Sequence, residues 1–488
     1  MNKAQLCDLL GYKPPAGPDF TFDAVTEDSR KVRPGTLFVA VHGDHTDGHA
    51  YAEQAVSQGA PAVVGDRAAV DNVAGAPYLY ASSPRRVLGL LAHALAGHPS
   101  RTMVVIGVTG TNGKSSTAFL IQAILAHAGH PCANFGTLGY DVGGEILPAS
   151  LTTPFPEQLA HAFCEAQKRR ISHVVMEASS HALDQDRVAG IAFDVAAFTN
   201  LTQDHLDYHA DMEAYRRAKL KLFEGVSGEG RFTVINSDDP AATFFVAVSR
   251  TPFYQYGRSG DVYAESIQAG RDGTTFRLKT PWGDAPVNMP LLGRHNVWNA
   301  LCAAAVCGGL GIPVAQVAQG LAALVCVPGR FEPVFAGQDF QVVVDYAHTG
   351  DALDNVLQAG RALCNGRLIV VFGCGGDRDK GKRPKMGKVA AKRADYTVLT
   401  SDNPRTEDPA RILLDIETGM QGAGAKKGQH YEVIPERAGA IARAIALANS
   451  GDLVLIAGKG HEDYQIVGTE RRHFDDRETA RELLMKRN

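Results

Sequence analysis

Residues 103–117 read Met-Val-Val-Ile-Gly-Val-Thr-Gly-Thr-Asn-Gly-Lys-Ser-Ser-Thr. A β-branched run, Val104–Val108, feeds a glycine-rich loop ending in Gly113-Lys114-Ser115, and Ala118–His127 reads as a helix. Strand, loop and helix in that order make a phosphate cradle. The loop offers backbone N–H groups to phosphate oxygens, Lys114 reaches toward the terminal phosphates, and the Ser115 hydroxyl suits a magnesium ion. The strict spacing G-x-x-x-x-G-K-[ST] is broken, because Val108 stands five before Gly113 and the nearest glycine is Gly107. An ordinary glycine-rich turn is the plainer alternative. The flanking strand and helix favour a nucleoside triphosphate, held by Gly110, Thr111, Asn112, Gly113, Lys114, Ser115 and Ser116.

The rest of the chain sets bounds on what surrounds this loop. Its 488 residues suggest about three domains. With 45% hydrophobic and 21% charged residues, the composition is that of a soluble globular protein. A formal net charge of −4 gives no case for nucleic acid as a partner. No window approaches the ~18 apolar residues of a membrane span, and Met1–Leu6 opens no signal peptide. Eight cysteines, scattered from Cys7 to Cys374 with no C-x-x-C pair, predict neither a zinc site nor a disulfide framework. A reducing cytoplasm is the expected compartment.

Strand-like runs alternate with helical stretches from about residue 100 onward, which predicts α/β layers with mostly parallel sheets. Boundaries are expected near His98-Pro99-Ser100 and near Val327–Phe331. They give a small α/β domain over 1–98, a nucleotide-binding domain over 99–330 and a third, Rossmann-like domain over 331–488. The Ala-rich segment Asn299–Leu324 reads as helical. In the third domain, strands are expected at Gln341–Val344, Leu368–Phe372, Tyr396–Leu399 and Leu453–Ile456, each followed by polar or glycine-rich residues. Open α/β sheets bind ligands at the carboxyl ends of their strands, so these junctions are candidate sites. No internal repeat is evident.

Two strand ends in the central domain carry chemistry. His173–Met176 runs into Glu177, an acid well placed to help hold magnesium beside phosphates. Val195–Phe198 leads to Asp204-His205-Leu206-Asp207-Tyr208-His209, whose ionisable groups are either solvated or bound to something. The amphipathic helix Met212–Phe223 carries Lys219, which composition alone makes an exposed helix lysine. His295 and Asn296, near the start of the Ala-rich helix, either meet a nucleotide or cap that helix.

In the third domain, Tyr396–Leu399 ends in Thr400-Ser401-Asp402-Asn403-Pro404-Arg405. An arginine there can grip a carboxylate bidentately. Asp402-Asn403-Pro404 as a mere turn, with Arg405 a surface charge, is the alternative. Two more strand ends, Gly375–Pro384 with Arg378 and Ala457–Glu462, add a basic loop and an acid. Together they suit a ligand bearing both carboxylate and ammonium groups.

Six ordered motifs resemble the Mur ligases, the ATP-dependent amide-forming enzymes of peptidoglycan precursor synthesis, over essentially the whole chain. They are Thr109–Ser116, Met176–His181, Asp204–His209, His295–Asn299, Pro328–Glu332 and Asp345–His348. Gly350 stands where that family usually has proline. The resemblance implies a three-domain architecture and an acyl-phosphate mechanism using ATP and Mg²⁺. Ser115, Glu177 and His205 become magnesium ligands, Lys219 a lysine carried as a carbamate, and Asn296, Arg330 and Asp345 nucleotide contacts.

Asp402–Arg405 resembles the signature of members that add meso-diaminopimelate; lysine-adding relatives depart at the arginine. The resemblance implies that Arg378, Asp402, Asn403, Pro404, Arg405, Gly458 and Glu462 bind the amino acid. Ser29, Asp44, His45 and Thr46 would take the uridine end of UDP-N-acetylmuramoyl-L-alanyl-D-glutamate. Thr152, Thr153, Ser179, Gln185 and Arg187 would hold its dipeptide. A lysine-adding or folylpolyglutamate synthetase-like ligase is the alternative within the enzyme class, and a P-loop switch driving a partner protein the alternative outside it. The expected partners are small molecules, with no membrane insertion and a monomeric enzyme.

Overall fold

Val104–Thr109 lies inside an eight-stranded sheet because both of its faces are apolar; in parallel sheets helices cover both sides. The order across the sheet is Phe253–Tyr256, Phe232–Asn236, Val195–Phe198, Val104–Thr109, His173–Glu177, Cys132–Gly136, Gly139–Asp141 and Ile146–Leu147. The first six strands run parallel and the last two fold back antiparallel. Glu177 pairs in register with Val108, and Phe198 with Thr109. The carboxyl ends of three strands therefore meet at the glycine-rich loop.

The computed structural model describes residues 1–13, 18–43, 46–147, 151–270 and 273–487. Its N-terminal part has a five-stranded sheet ordered Ala24–Thr26, Thr36–Val39, Val63–Gly65, Ala76–Tyr80 and Asn72–Val73, the last strand antiparallel. Its C-terminal part has a six-stranded sheet ordered Glu332–Pro333, Gln341–Asp345, Leu453–Ala457, Leu368–Phe372, Tyr396–Leu399 and Tyr431–Val433. All but the first are parallel. The fold is thus α/β with three sheet-centred domains. No described helix is long and apolar enough to cross a membrane.

Two sequence expectations shift. The helix after the loop begins at Lys114, four residues before Ala118, with Gly113 in the left-handed region at φ 83° as its N-cap. The Ala-rich segment is two helices, His295–Gly309 and Val314–Ala323, interrupted at Gly311-Ile312-Pro313 because proline cannot continue the first. An antiparallel sheet, Tyr263–Gly270, Gly273–Thr280 and Gly283–Met289, was not anticipated.

The C-terminal sheet is braced from behind. Arg437, fully buried, forms two 2.7 Å hydrogen bonds to Asp476 at the start of the helix Asp476–Arg487. Its Nη2 also donates to the Ala457 carbonyl and its Nη1 to the Ser401 carbonyl. Helix and strand ends are locked by one guanidinium.

Candidate active site

A cleft of about 440 Å³ opens at the carboxyl edge of the central sheet. Its floor is Thr111–Ser116 with Glu177 and His205, and its far wall comes from Arg330, Asp345–His348 and Asp351. A Cβ on Gly113 would stand 2.4 Å from Asn299 Oδ1, so only glycine closes the loop against that helix. Ser115 Oγ donates to Glu177 Oε1 at 2.9 Å. Thr137 fixes the same carboxylate, its N–H on Oε1 at 2.9 Å and its hydroxyl on Oε2 at 3.2 Å. Arg330 Nη2 reaches Ser115 Oγ at 3.0 Å, with its guanidinium over the Tyr346 ring.

Two lysines share one carbonyl. Lys114 Nζ donates to the Gly110 and Thr111 carbonyls, and Lys219 Nζ donates to Gly110 O at 3.0 Å. Lys219 is 1% exposed, which corrects its reading as a surface lysine. Tyr215, Lys219 and Phe223 form one i, i+4, i+8 stripe, and that stripe faces the core. Burial, then the Lys114 ammonium beside it, pushes Lys219 well below the usual lysine range. Relative to a solvated lysine, the neutral amine is thereby favoured over the ammonium. Burial also pushes His205 down to about 4, against the pull of Asp204. His205 packs edge-on against His181 and Tyr215.

Asp345 is buried and accepts the N–H groups of Phe331 and Ala347, both at 2.7 Å. Burial raises it to about 6. Asn296 does not line the cleft, nor does it cap its helix. Its amide donates to Leu292 O and accepts from Asn299 Nδ2, so it positions Asn299, which does line the cleft. Gly350 is the first residue of the helix Gly350–Leu363, capped by the Thr349 hydroxyl, a position where proline and glycine both fit.

Next to Glu177 lies the predicted dipeptide set. Thr153 Oγ1 donates to Glu177 O, accepts from Ser179 N and lies 3.3 Å from Ser179 Oγ. Thr152 Oγ1 meets Thr137 Oγ1 at 3.1 Å. Arg187 donates to Thr153 O and to Gln185 Oε1, and Gln185 donates to Tyr208 OH. These five residues form one connected patch. In the N-terminal domain, Ser29 is buried beside Gln54 and Thr46 is exposed. Asp44 and His45 lie outside the described residues.

The three strand ends of the third domain do converge. Asn403 Nδ2 donates to Glu462 Oε2 at 2.9 Å, and Gly458 packs against Asp402, where a Cβ would stand 2.7 Å from Oδ2. Arg405 is held at φ 52°, pinned by Ile466 O and Gly468 N, with Nη1 on the Gly376 carbonyl at 2.7 Å. A non-glycine residue in that region is uncommon and persists here because the backbone is hydrogen-bonded on both sides. Pro404 is buried behind it, while Arg378 is exposed and donates from Nη1 to the Asp377 carbonyl. One residue was missed. Lys459, fully buried, donates to Asn403 Oδ1 at 2.9 Å and stands 3.5 Å from Asp402 and 3.7 Å from Glu462.

Profiles of the Mur ligase middle domain, the Mur ligase glutamate ligase domain and the Mur ligase family catalytic domain match residues 108–307, 329–460 and 21–96. The chain belongs to the Mur ligase family. A relative from Bacillus licheniformis named "UDP-N-acetylmuramoyl-L-alanyl-D-glutamate–2,6-diaminopimelate ligase" is 46% identical over 99% of this chain and 98% of its own length. One of the same name from Geobacillus kaustophilus is 45% identical, covering 99% of both. Among solved structures, one titled as that ligase superposes with a TM-score of 0.69 at 32% identity, covering 100% of this chain and 99% of the other.

Proposed function

We propose that this Mur ligase joins meso-diaminopimelate to the γ-carboxylate of D-glutamate in UDP-N-acetylmuramoyl-L-alanyl-D-glutamate, at the expense of ATP. One observation carries the choice of amino acid: Arg405, held in a strained backbone position beside Asn403, Glu462 and Lys459. The cluster offers a guanidinium for a distal carboxylate and acids for an ammonium. L-lysine has no distal carboxylate for the arginine to hold.

In the first step the γ-carboxylate attacks the γ-phosphorus of ATP; the new O–P bond forms as ADP leaves, giving an acyl phosphate. In the second, the amine of diaminopimelate attacks the acyl carbon, the C–N bond forms, inorganic phosphate departs with the C–O electrons, and one proton is released. The chain's own work is positioning and charge neutralisation. Gly110–Ser116 cradles the phosphates as Lys114 turns from its loop carbonyls toward them. Arg330 and Asp345 hold the nucleotide, and Asn296 acts through Asn299. Thr152, Thr153, Ser179, Gln185 and Arg187 steer the dipeptide to the phosphates, while Ser29, Asp44, His45 and Thr46 take the uridine. Arg378, Asp402, Asn403, Pro404, Arg405, Gly458 and Glu462 present the amine.

The Ser115 hydroxyl, the Glu177 carboxylate and the His205 ring line one cleft; the two oxygen donors are those Mg²⁺ prefers, and the imidazole is a borderline nitrogen beside them. Those residues would hold the ion, which supplies positive charge to the phosphates when bound. Burial shifts Lys219 toward the neutral amine, the form that captures CO₂, and a carbamate there would add anionic oxygens to the same set. The division of labour among residues 1–98, 99–330 and 331–488 follows from these assignments, and a monomeric cytoplasmic enzyme of cell-wall synthesis completes the proposal. The eight free cysteines suit that compartment.

The test is phosphate release from ATP with the UDP-dipeptide present, comparing meso-diaminopimelate, L-lysine and no amino acid. Release stimulated by diaminopimelate alone is expected. Equal release in all three would refute the ligase reading; preference for lysine would refute only the specificity. Arg405→Ala should raise KM for diaminopimelate at least tenfold with little change for ATP.

A further inference from the structure

We infer that His42, His49 and Asp66 form a binding site for one divalent transition cation of the zinc class, separate from the nucleotide cleft. The three ligand atoms lie within 4.8 Å of one another, and none of these residues lines the cleft. His42 Nε2 and His49 Nε2 each stand 3.4 Å from the same oxygen, Asp66 Oδ1. Tetrahedral zinc, with bonds of about 2.0–2.2 Å, requires ligand–ligand separations of about 3.4 Å. Two of the three separations are thus already those of a bound ion. The third closes by rotation of the His42 ring, which is more than half exposed.

What distinguishes the group from a chance meeting of polar side chains is its outer shell. Asp47 Oδ1 sits 2.7 Å from His49 Nδ1 and 3.4 Å from His42 Nδ1. The hydrogen bond from His49 Nδ1 to Asp47 favours the Nδ1–H tautomer on that ring and leaves its Nε2 as an acceptor, 3.4 Å from Asp66, while His42 Nδ1 lies within ion-pair distance of the same carboxylate. Metal-ligating histidines almost always carry such a partner on their second nitrogen. Asp47 is in turn held by Arg67 Nη2 at 2.8 Å, and Arg85 fixes the His42 carbonyl. At present His49 Nε2 is 3.0 Å from the Tyr78 hydroxyl, which also receives the Arg67 N–H. On metal binding Tyr78 keeps the Arg67 donor and turns its own proton away. Two imidazoles and one carboxylate leave a fourth position open to solvent on the His42 side.

The placement gives the ion a structural consequence. His42 follows the strand Thr36–Val39 and Asp66 follows its parallel neighbour Val63–Gly65. A cation between them ties the carboxyl ends of these two strands together, next to Gly43, whose N–H donates to the Thr46 carbonyl. The inference does not depend on the ligase reading.

The experiment is a Zn²⁺ titration of the metal-stripped full chain by calorimetry, with excess Mg²⁺ to occupy the nucleotide cleft, together with thermal melting. His49 is buried, so the variants are the more exposed His42→Ala and Asp66→Asn, singly and together, with Asp47→Asn for the outer shell. One equivalent should bind the natural chain and raise its melting temperature. Each single ligand variant should weaken binding at least tenfold, Asp47→Asn about 10–100-fold, and the double variant should show no Zn²⁺-dependent shift. Binding by the double variant equal to that of the natural chain overturns the inference. So does an absence of binding to the natural chain, or loss on Glu177→Gln with retention in the double variant.

Discussion

Gly136→Ala is the sharpest test of how the cleft holds its carboxylate. Gly136 ends the strand beside Glu177, and a Cβ there would stand 2.2 Å from Glu177 Oε1 and 2.9 Å from its Cγ and Cδ. Ordinary contact begins near 3.4 Å, so the carboxylate must retreat by about 1 Å. Oε1 is the atom that accepts both Ser115 Oγ and Thr137 N at 2.9 Å, and a shift of that size takes it out of reach of at least one. A hydrogen bond to a charged group is worth about 1.5–3 kcal/mol, and a ~1 Å misplacement at a catalytic group costs ~10²-fold in rate. The first figure corresponds to about a 10- to 150-fold effect and the second to about a hundredfold, so kcat should fall by about a hundredfold, with a higher Mg²⁺ requirement. Gly136 is not among the positive-φ glycines, so alanine suits its backbone, and any fall in melting temperature reports the same displaced carboxylate and not a strained main chain. Steady-state phosphate release at varied Mg²⁺ measures this. A kcat within threefold of the natural enzyme, at the same Mg²⁺ optimum, would refute the argument that Glu177 is held to an ångström.

Lys219→Ala should lose most activity and regain part of it with added short carboxylates; natural rates in the variant would remove the carbamate role. Lys459→Met leaves Asp402 and Glu462 buried without their ammonium, so KM for diaminopimelate should rise at least tenfold while KM for ATP stays within twofold. An equal rise in both would mean general damage to the domain. Asp345 has a folded pKa of about 6 against an ordinary 3.8, so the fold disfavours its ionisation and loses about 3 kcal/mol from this group as pH rises from 4 through 6. Asp345→Asn removes that loss, at a pH-independent cost of about 1–3 kcal/mol where its amide faces one of the two backbone N–H groups. Urea unfolding of both proteins from pH 4 to 7.5 should show the variant gaining on the natural chain as pH rises; a flat difference would refute the assignment.

The parallel sheets were legible because their strands are short β-branched runs closed by polar residues. Leu368–Phe372, Tyr396–Leu399 and Val195–Phe198 fall where the pattern put them. The antiparallel sheet was missed although Gly273–Thr280 alternates, with Phe276 and Leu278 buried and Arg277 between them exposed. A period-two scan would have found it. Composition alone ranks Lys219 as an exposed helix lysine, and only the resemblance to the Mur ligases drew it toward the cleft, although its i±4 neighbours Tyr215 and Phe223 already pointed inward. Lys459 gave less warning, since a lysine between two glycines reads as a solvated loop. Gly136 gave none: its role depends on a carboxylate 41 positions later, and only the sheet register brings the two together.

If Asp402–Arg405 and Gly458 bind the amino acid as proposed, the Arg437–Asp476 pair ties the last described helix to substrate choice. Its guanidinium grips the carbonyls of Ser401 and Ala457, the residues that precede Asp402 and Gly458. Slackening at Asp476 would travel to the amino-acid pocket without any residue of that helix meeting the ligand. Attempts to retrain the enzyme toward other diamino acids should therefore randomise Arg437 and Asp476 together with the lining, because the pocket's shape is tuned from its back wall.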